Sequence, residues 1–349
     1  VLFPYPRCLR VFPGEKSDTK TALLTPDAHY ALIGGGQGVT VWDLLSGKQR
    51  WTFVWNAEQE QWMCKGAANS ATSVLMLPDG KHAVSAGSDQ PLLRLWNVET
   101  GACLRTFSGH EGGVNALAML PEKLVLFSAG ADASIRAWDM RRGACLHVFG
   151  GHRESVGCVA VTPDAKCLLS CAGRSVRVWE LVSGKPLKRL RGHLEPITAL
   201  AVSPDFRWIV SGSLDATVRV WAWPSGKCQH VFREPAGTVT ALAISPDGQT
   251  VAAAARDGVI CLWNLATGVG CRQLKGHAAA VTSLAFAQGG QALISASRDR
   301  TARVWNPASG ECVRVLTEFT FSLETATPAP DGTVMLVGNS EELRLQDVA

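Results

Sequence analysis

Residues 193–232 read HLEPITALAVSPDFRWIVSGSLDATVRVWAWPSGKCQHVF. Four short strand-like stretches stand in this string: ITALAVS, WIVSGS, VRVWAW and CQHVF. PDF, LDAT and PSGK separate them, each with the Pro, Gly, Asp or Ser that tight turns favour. Alternation at period two puts every second side chain on one face of a strand. No stretch offers a long helical pattern. A lone four-stranded sheet of this composition would leave two apolar faces in water. Sheets stacked side by side bury those faces and keep only short edges.

The unit recurs. Tryptophans fall at 42, 96, 138, 179, 221, 263 and 305, in steps of 54, 42, 41, 42, 42 and 42. A further 41 residues reaches Gln346 in LRLQDV, which imitates VRVWEL at 176–181 and makes an eighth unit. Gly-His pairs stand in phase at 109–110, 151–152, 192–193 and 276–277. Each tryptophan is followed by an Asp, Glu or Asn at all but one repeat: WD at 42–43 and 138–139, WE at 179–180, WN at 96–97, 263–264 and 305–306. A period of about 40–45 residues with Gly-His before and Trp-Asp after marks a propeller blade. On these residues the chain resembles the WD-repeat (WD40) family over essentially its whole length.

The resemblance implies a buried polar tetrad in each blade, in which His, Ser or Thr, a turn Asp and the Trp form one hydrogen-bonded chain. His110, Ser128, Asp132 and Trp138 make a complete set, as do His193, Ser211, Asp215 and Trp221, and His277, Ser295, Asp299 and Trp305. The fourth unit has His152 and Ser170 but a turn, AGRS, that is one residue short and lacks Asp. The sixth has Pro235 and Ala253 in place of His and Ser, and the second has Ala67 in place of His. The first and eighth units keep little of the pattern.

One fragment is out of place. CLRVF at 8–12 repeats CLRTF at 103–107, CLHVF at 145–149 and CVRVL at 312–316, yet no blade precedes it. The eighth unit, in turn, offers TPAPDG, TVMLVG and ELRLQDV but no fourth strand. The expectation is that residues 8–12 supply it and close the ring, removing open edges. The fold class is then all-β: one eight-bladed β-propeller of four-stranded antiparallel blades spanning 1–349. The blades run 17–53, 71–107, 112–149, 155–190, 196–232, 238–274, 280–316 and 322–349, with 8–12 the outer strand of the last.

Composition bounds the rest. The chain has 349 residues, 46% of them hydrophobic, a mean hydropathy of +0.08 and a formal charge of +4. That describes a well-cored protein and gives little electrostatic ground for nucleic-acid or lipid binding. No run of about eighteen apolar residues is present, so no transmembrane helix and no membrane partner is expected. No signal peptide is evident at the start, which begins at Val1, so the sequence reads as part of a longer or processed protein. Eleven cysteines, several at one repeated strand position, read as small, mostly buried reduced thiols in a protein of the cytosol or nucleus. Cys167 and Cys171 lack the further ligands of a zinc site.

Repeated His, Ser and Asp evoke a hydrolase triad, but a catalytic site occurs once and these recur with the blade. GKQ, GKP and GKC at 47–49, 184–186 and 226–228 lack full phosphate-loop spacing, and GGGQG at 34–38 reads as a hairpin tip. The reading is a non-enzyme with no cofactor and no metal: a protein-interaction scaffold or recognition module, expected within a larger multidomain protein. Three features mark candidate partner-binding sites. The long step from Trp42 to Trp96 is an insertion, VWNAEQEQWMCKG at 54–66, carrying Trp55, Trp62 and Met63. It reads either as a docking element or as a loop covering the weak first blade. Arg174, Arg256, Arg298 and Arg300 sit in hairpin tips of the fourth, sixth and seventh blades, and Arg153 in a neighbouring loop. They suit an acidic or phosphorylated peptide, although Glu111, Glu154, Glu195 and Glu234 make a solvated mixed surface the alternative. AWDMR at 137–141 is similar to the Trp-Asp-x-Arg box of cullin–RING ubiquitin-ligase substrate receptors, with Arg141 as contact and Asp139 in support. A third reading is the sensor or autoinhibitory propeller of a NACHT- or NB-ARC-type nucleotide-switch protein.

Overall fold

The computed structural model describes residues 8–13, 19–35, 38–56, 61–63, 73–87, 90–234, 236–270, 272–317, 319–328, 334–338 and 342–347. Among them are eight antiparallel sheets, and the only helices are single 3-10 turns at Pro121–Lys123 and Gln288–Gly290. The fold is that of an eight-bladed β-propeller. Blade 5 shows the plan: Ile197–Val202, Trp208–Ser213, Val218–Ala222 and Lys227–Phe232 pair in that order. Blades 2, 3, 4, 6 and 7 repeat it. Blade 8 consists of Thr325–Pro328, Val334–Gly338 and Glu342–Asp347, and its fourth strand is Cys8–Pro13, paired beside Glu342–Asp347. Blade 1 departs from the expected four strands. Gln49–Asn56 runs past residue 53 and pairs with Gln61–Met63, with Val54, Trp55 and Asn56 opposite Met63, Trp62 and Gln61. The insertion is thus a hairpin that widens blade 1 to five strands.

The chain divides into two compact units, Arg10–Val161 with Gly338–Arg344, and Thr162–Val337 with Val1–Leu9 and Leu345–Ala349. Within each, the apolar clusters lie between successive sheets. In the first, Val84, Leu93, Leu95 and Phe107 of blade 2 meet Val114, Leu126 and Trp138 of blade 3. In the second, Val210, Val218, Val220 and Phe232 of blade 5 meet Val239, Val251, Cys261 and Trp263 of blade 6. Phe232 lies flat on Trp263, ring centroids 4.5 Å apart. Second strands are covered on both faces and read as continuous apolar runs, as in Cys167–Ala172, which is buried throughout. The fourth strands of blades 2, 5 and 7 face water on one side and alternate, as in Cys312–Leu316.

Polar side chains of the first strands reach the backbone at the start of the next blade. Thr198 Oγ1 lies 2.7 Å from the Val239 carbonyl and Thr282 Oγ1 lies 2.9 Å from that of Leu323, each 41 residues on. Asn115 Nδ2 donates to Val156 O at 3.0 Å in the other unit. Sequence patterning passes over these residues because they alternate like any partly exposed strand position. Thr198→Val keeps the shape and deletes the donor. It should cost about 1 kcal/mol and lower the chemical-denaturation midpoint without changing its slope.

The repeated cysteines correct one expectation. Cys103, Cys228 and Cys312 are only half-buried and Cys145 is exposed. They stand where the fourth strand's register slips against the third, as at Trp221 and Cys228. A bulge there turns the thiol back along its own strand. Cys228 Sγ donates to His230 O at 3.5 Å and Cys312 Sγ to Arg314 O at 3.3 Å.

Candidate functional site

The polar tetrads define the blade tips. In blade 5, Trp221 Nε1 donates to Ser211 Oγ at 2.9 Å, Ser211 Oγ lies 2.8 Å from His193 Nε2, and His193 Nδ1 lies 2.9 Å from Asp215 Oδ2. Blade 3 repeats the chain through Trp138, Ser128, His110 and Asp132 at 2.8, 2.7 and 2.8 Å. Blade 7 repeats it through Trp305, Ser295, His277 and Asp299 at 2.8, 2.7 and 2.8 Å. Burial is the largest influence on His193 and drives its pKa down, against the upward pull of Asp215. A neutral imidazole fixes the order of donors: Trp to Ser, Ser to His, His to Asp. Burial pushes the Asp215 carboxyl up. Hydrogen bonds from Thr217 Oγ1, the Leu194 N–H and His193 outweigh it and hold the carboxyl at about 2.

This geometry commits the three tetrads to holding their blades together. Ser128, Ser211 and Ser295 have no exposed surface, and each hydroxyl is held between a tryptophan and a histidine. The weaker blades keep fragments of the chain. Trp179 Nε1 donates to Ser170 Oγ at 2.8 Å in blade 4, and Trp96 Nε1 to Ser85 Oγ at 2.8 Å in blade 2. Ala67 and Pro235 lie outside the described residues. A residue the patterning missed lies over the tryptophan: an arginine two positions earlier, with Arg177, Arg219 and Arg303 at 5.5, 6.0 and 5.8 Å from the ring. Its signal was in the sequence, in the recurring VRVW. Among the described residues no group of three or more His, Cys, Asp or Glu side chains is placed to hold a metal, and no helix is long and apolar enough to cross a membrane.

Gly-His, turn Asp, Ser and Trp therefore recur at fixed spacing with one hydrogen-bonding role. The WD domain, G-beta repeat (WD40) family model matches residues 101–139, 143–180, 184–222, 226–264 and 268–306, more than half of the chain. The chain belongs to the WD40 family. Its curated relatives match over short stretches. A periodic tryptophan protein 2 homolog from Dictyostelium discoideum is 34% identical over 86 residues, 24% of this chain and 9% of the relative. Human striatin is 37% identical over 68 residues, 18% of this chain and 9% of the relative. A guanine nucleotide-binding protein subunit beta from Arabidopsis thaliana is 28% identical over 129 residues, 37% of this chain and 29% of the relative. The matched stretches span less than a third of any of these proteins. WD40 propellers of this kind serve as protein-interaction scaffolds.

In this WD40 chain the arginines of the tips fall as follows. Arg174 occupies the turn between Cys167–Ala172 and Ser175–Glu180, largely exposed, 3.9 Å from Glu195. The shortened AGRS turn is a two-residue hairpin, with Ala172 directly opposite Ser175. Arg256 is exposed in the blade 6 turn, its N–H bonded to Thr238 O at 3.0 Å. Arg298 and Arg300 flank Asp299 in the blade 7 turn. Arg298 Nε lies 3.6 Å from Glu324 Oε1. Arg300 is exposed and left-handed, φ 67°, a conformation that costs a residue with a Cβ about 1 kcal/mol or more. All four arginines lie at the same end of their sheets, in the unit holding Thr162–Val337. Exposed Leu194 and Leu214 stand at the blade 5 tip and exposed Phe321 beside the blade 7 turn, where Ser322 Oγ donates to Arg298 O at 3.2 Å. Arg153 is exposed in the loop before blade 4, in the other unit.

The two remaining candidates read differently. Asp139 Oδ1 accepts the Arg141 and Arg142 N–H groups at 2.8 and 3.0 Å. Asp43, Asn97, Asn264 and Asn306 cap the same turn in their blades. The Asp of the AWDMR box thus has a turn to hold whether or not a partner exists, and Arg141 is exposed beside it. Trp55, Trp62 and Met63 belong to the blade 1 hairpin by backbone, and their side chains lie outside the described residues.

Proposed function

We propose that the chain is a non-catalytic recognition module, and that the tips of blades 4, 6 and 7 receive an acidic or phosphorylated peptide segment. The observation that carries this reading is the fate of Asp299. Its Oδ2 accepts from His277 Nδ1 and the Ala278 N–H at 2.8 and 2.9 Å. Its Oδ1 accepts from the Thr301 N–H and hydroxyl at 2.8 and 2.7 Å. The carboxylate is filled from inside the blade, so it does not answer the two guanidinium groups on either side of it. Arg298 has Glu324 as an ion-pair partner, whereas Arg300 and Arg256 have no carboxylate within ion-pair distance among the described residues. A phosphate or a run of carboxylates supplies the acceptor geometry that arginine forks prefer. Leu194, Leu214 and Phe321 offer apolar contacts next to that charge.

The test uses a degenerate peptide pool with a central phosphoserine or phosphothreonine in an acidic context, against the same pool unphosphorylated. Capture on the immobilised chain should favour the phosphorylated pool and fall with added salt. Arg298→Glu with Arg300→Glu should weaken it at least about tenfold, since charge-assisted bonds contribute about 1.5–3 kcal/mol each. Equal capture of both pools, or an indifferent double variant, sinks the reading.

A further inference from the structure

Among the described residues the fourth strand is an edge of its sheet in blades 2 to 8, while in blade 1 Gln61–Met63 takes that place. A free edge presents unpaired N–H and C=O groups, and natural sheets blunt it with charge. Six of these seven strands do so. They carry Arg105, Lys188 with Arg189 and Arg191, Lys227, Arg272, Arg314 and Arg10. Blade 3 does not: Cys145–Phe149, CLHVF, holds no Lys, Arg, Asp or Glu. It is also open. Cys145, Leu146, His147 and Val148 are all exposed, Leu146 to 53% and Val148 to 44%, and only Phe149 is buried. Blade 4's edge is equally open but carries three cations.

The uncharged strand fits a copy of itself. Laid antiparallel about His147, it sets Leu146 opposite Val148 and Cys145 opposite Phe149. Opposed residues in such a pair share a face with Cβ atoms about 4.5–5.5 Å apart. The two exposed apolar side chains would therefore cover each other, twice by symmetry. The same register in blade 7's CVRVL sets Arg314 against its own copy, which like charge disfavours. Beyond the strand, a Cβ on Gly150 would meet nothing within 4 Å, so no side chain blocks a passing backbone there.

We propose that the edge strand of blade 3 is a self-association site, at which two copies of this chain pair antiparallel through Cys145–Phe149 about a two-fold axis. Such a contact is isologous. It is also smaller than a standard interface, so dimerisation is reversible and concentration-dependent. It involves blade 3 alone and stands independently of the peptide-binding reading.

Sedimentation velocity from about 1 to 100 μM spans the range in which a weak interface of this kind operates. The mass of the whole chain should climb from 37.2 kDa toward twice that value. Val148→Lys should hold it at the monomer value with an unchanged melting temperature, while Val315→Lys on blade 7 leaves the climb intact. In a Cys145→Ser background, His147→Cys should give a covalent dimer under mild oxidation, because residue 147 faces its own copy. A chain that stays monomeric throughout overturns the proposal. So does a dimer indifferent to Val148→Lys, or one in which residue 147 does not cross-link.

Discussion

A chain lacking residues 1–12 should melt about 5 °C or more below the parent, or aggregate before it melts. Cys8–Pro13 is the fourth strand of blade 8, and its loss leaves Glu342–Asp347 as an edge. The backbone bonds of one six-residue strand, at about 0.5–1.5 kcal/mol each, sum to roughly 3–5 kcal/mol. Each kcal/mol moves the midpoint of a chain of this size by about 1–2 °C. The newly exposed edge, ELRLQD, has alternating leucines and would invite pairing between chains. Removing only residues 1–6 spares the strand and should change little. Calorimetry with light scattering on both truncations decides the matter: a 1–12 deletion as stable and monomeric as the parent excludes this role for the strand.

That strand was legible because its pattern, Cys-Leu-Arg-Val-Phe, is a fourth strand with no blade in front of it. Strand order within a blade was legible for a similar reason. Alternation and turn residues are local, and each PD or SGK turn sits where its own side chains cap it. Asp205, for example, accepts from Ser203 Oγ at 2.6 Å and the Arg207 N–H at 3.0 Å. What failed to show is what depends on register between strands. Cys145 and Cys228 read as buried because their strand alternates, yet a bulge shifts them by half a period. The hairpin at Gln61–Met63 was invisible because three residues carry no period. Phe206 shows another limit. It takes the left-handed place, φ 53°, that Gly80 and Gly248 fill in other blades, and its ring packs 5.1 Å from Trp223.

The candidate site was legible only as a set of residue types. Sequence placed the arginines at tips, but whether a neighbouring carboxylate cancels them is a question of hydrogen-bond direction. Asp299 and Asp139 look alike in the sequence as acids beside arginines. In the fold, Asp299 faces inward to His277, whereas Asp139 caps its own turn. The blade 3 edge strand was quoted in the sequence as one more copy of a repeat, and its lack of charge became meaningful once the strand was seen to be an open edge.

Asp215→Ala should destabilise the chain by about 3–4 kcal/mol and lower its melting temperature by roughly 5 °C. The carboxylate is 5% exposed and accepts from four donors: His193 Nδ1, the Leu194 N–H, and the N–H and hydroxyl of Thr217. Truncation leaves those donors partly buried without their acceptor, and the loss runs through His193 to Ser211 and Trp221. Acid should act on the same network. The folded Asp215 carboxyl sits at about 2 against an ordinary 3.8, so its stabilisation is full above 3.8 and is lost as the pH falls toward 2. His110, His193 and His277 are held below their ordinary 6.5, chiefly by burial. Unfolding lets them take up protons below that value, which also favours the unfolded chain in acid. Both effects have one sign. The parent's melting temperature should be flat above about pH 7, decline below 6.5 and fall further below 4. The gap between parent and Asp215→Ala should be widest near neutrality and narrow as the pH drops through the interval between 3.8 and about 2. A gap that stays constant down to pH 3 would mean that the carboxylate's charge contributes nothing to the tetrad, and that its oxygens serve only to fill space at the tip.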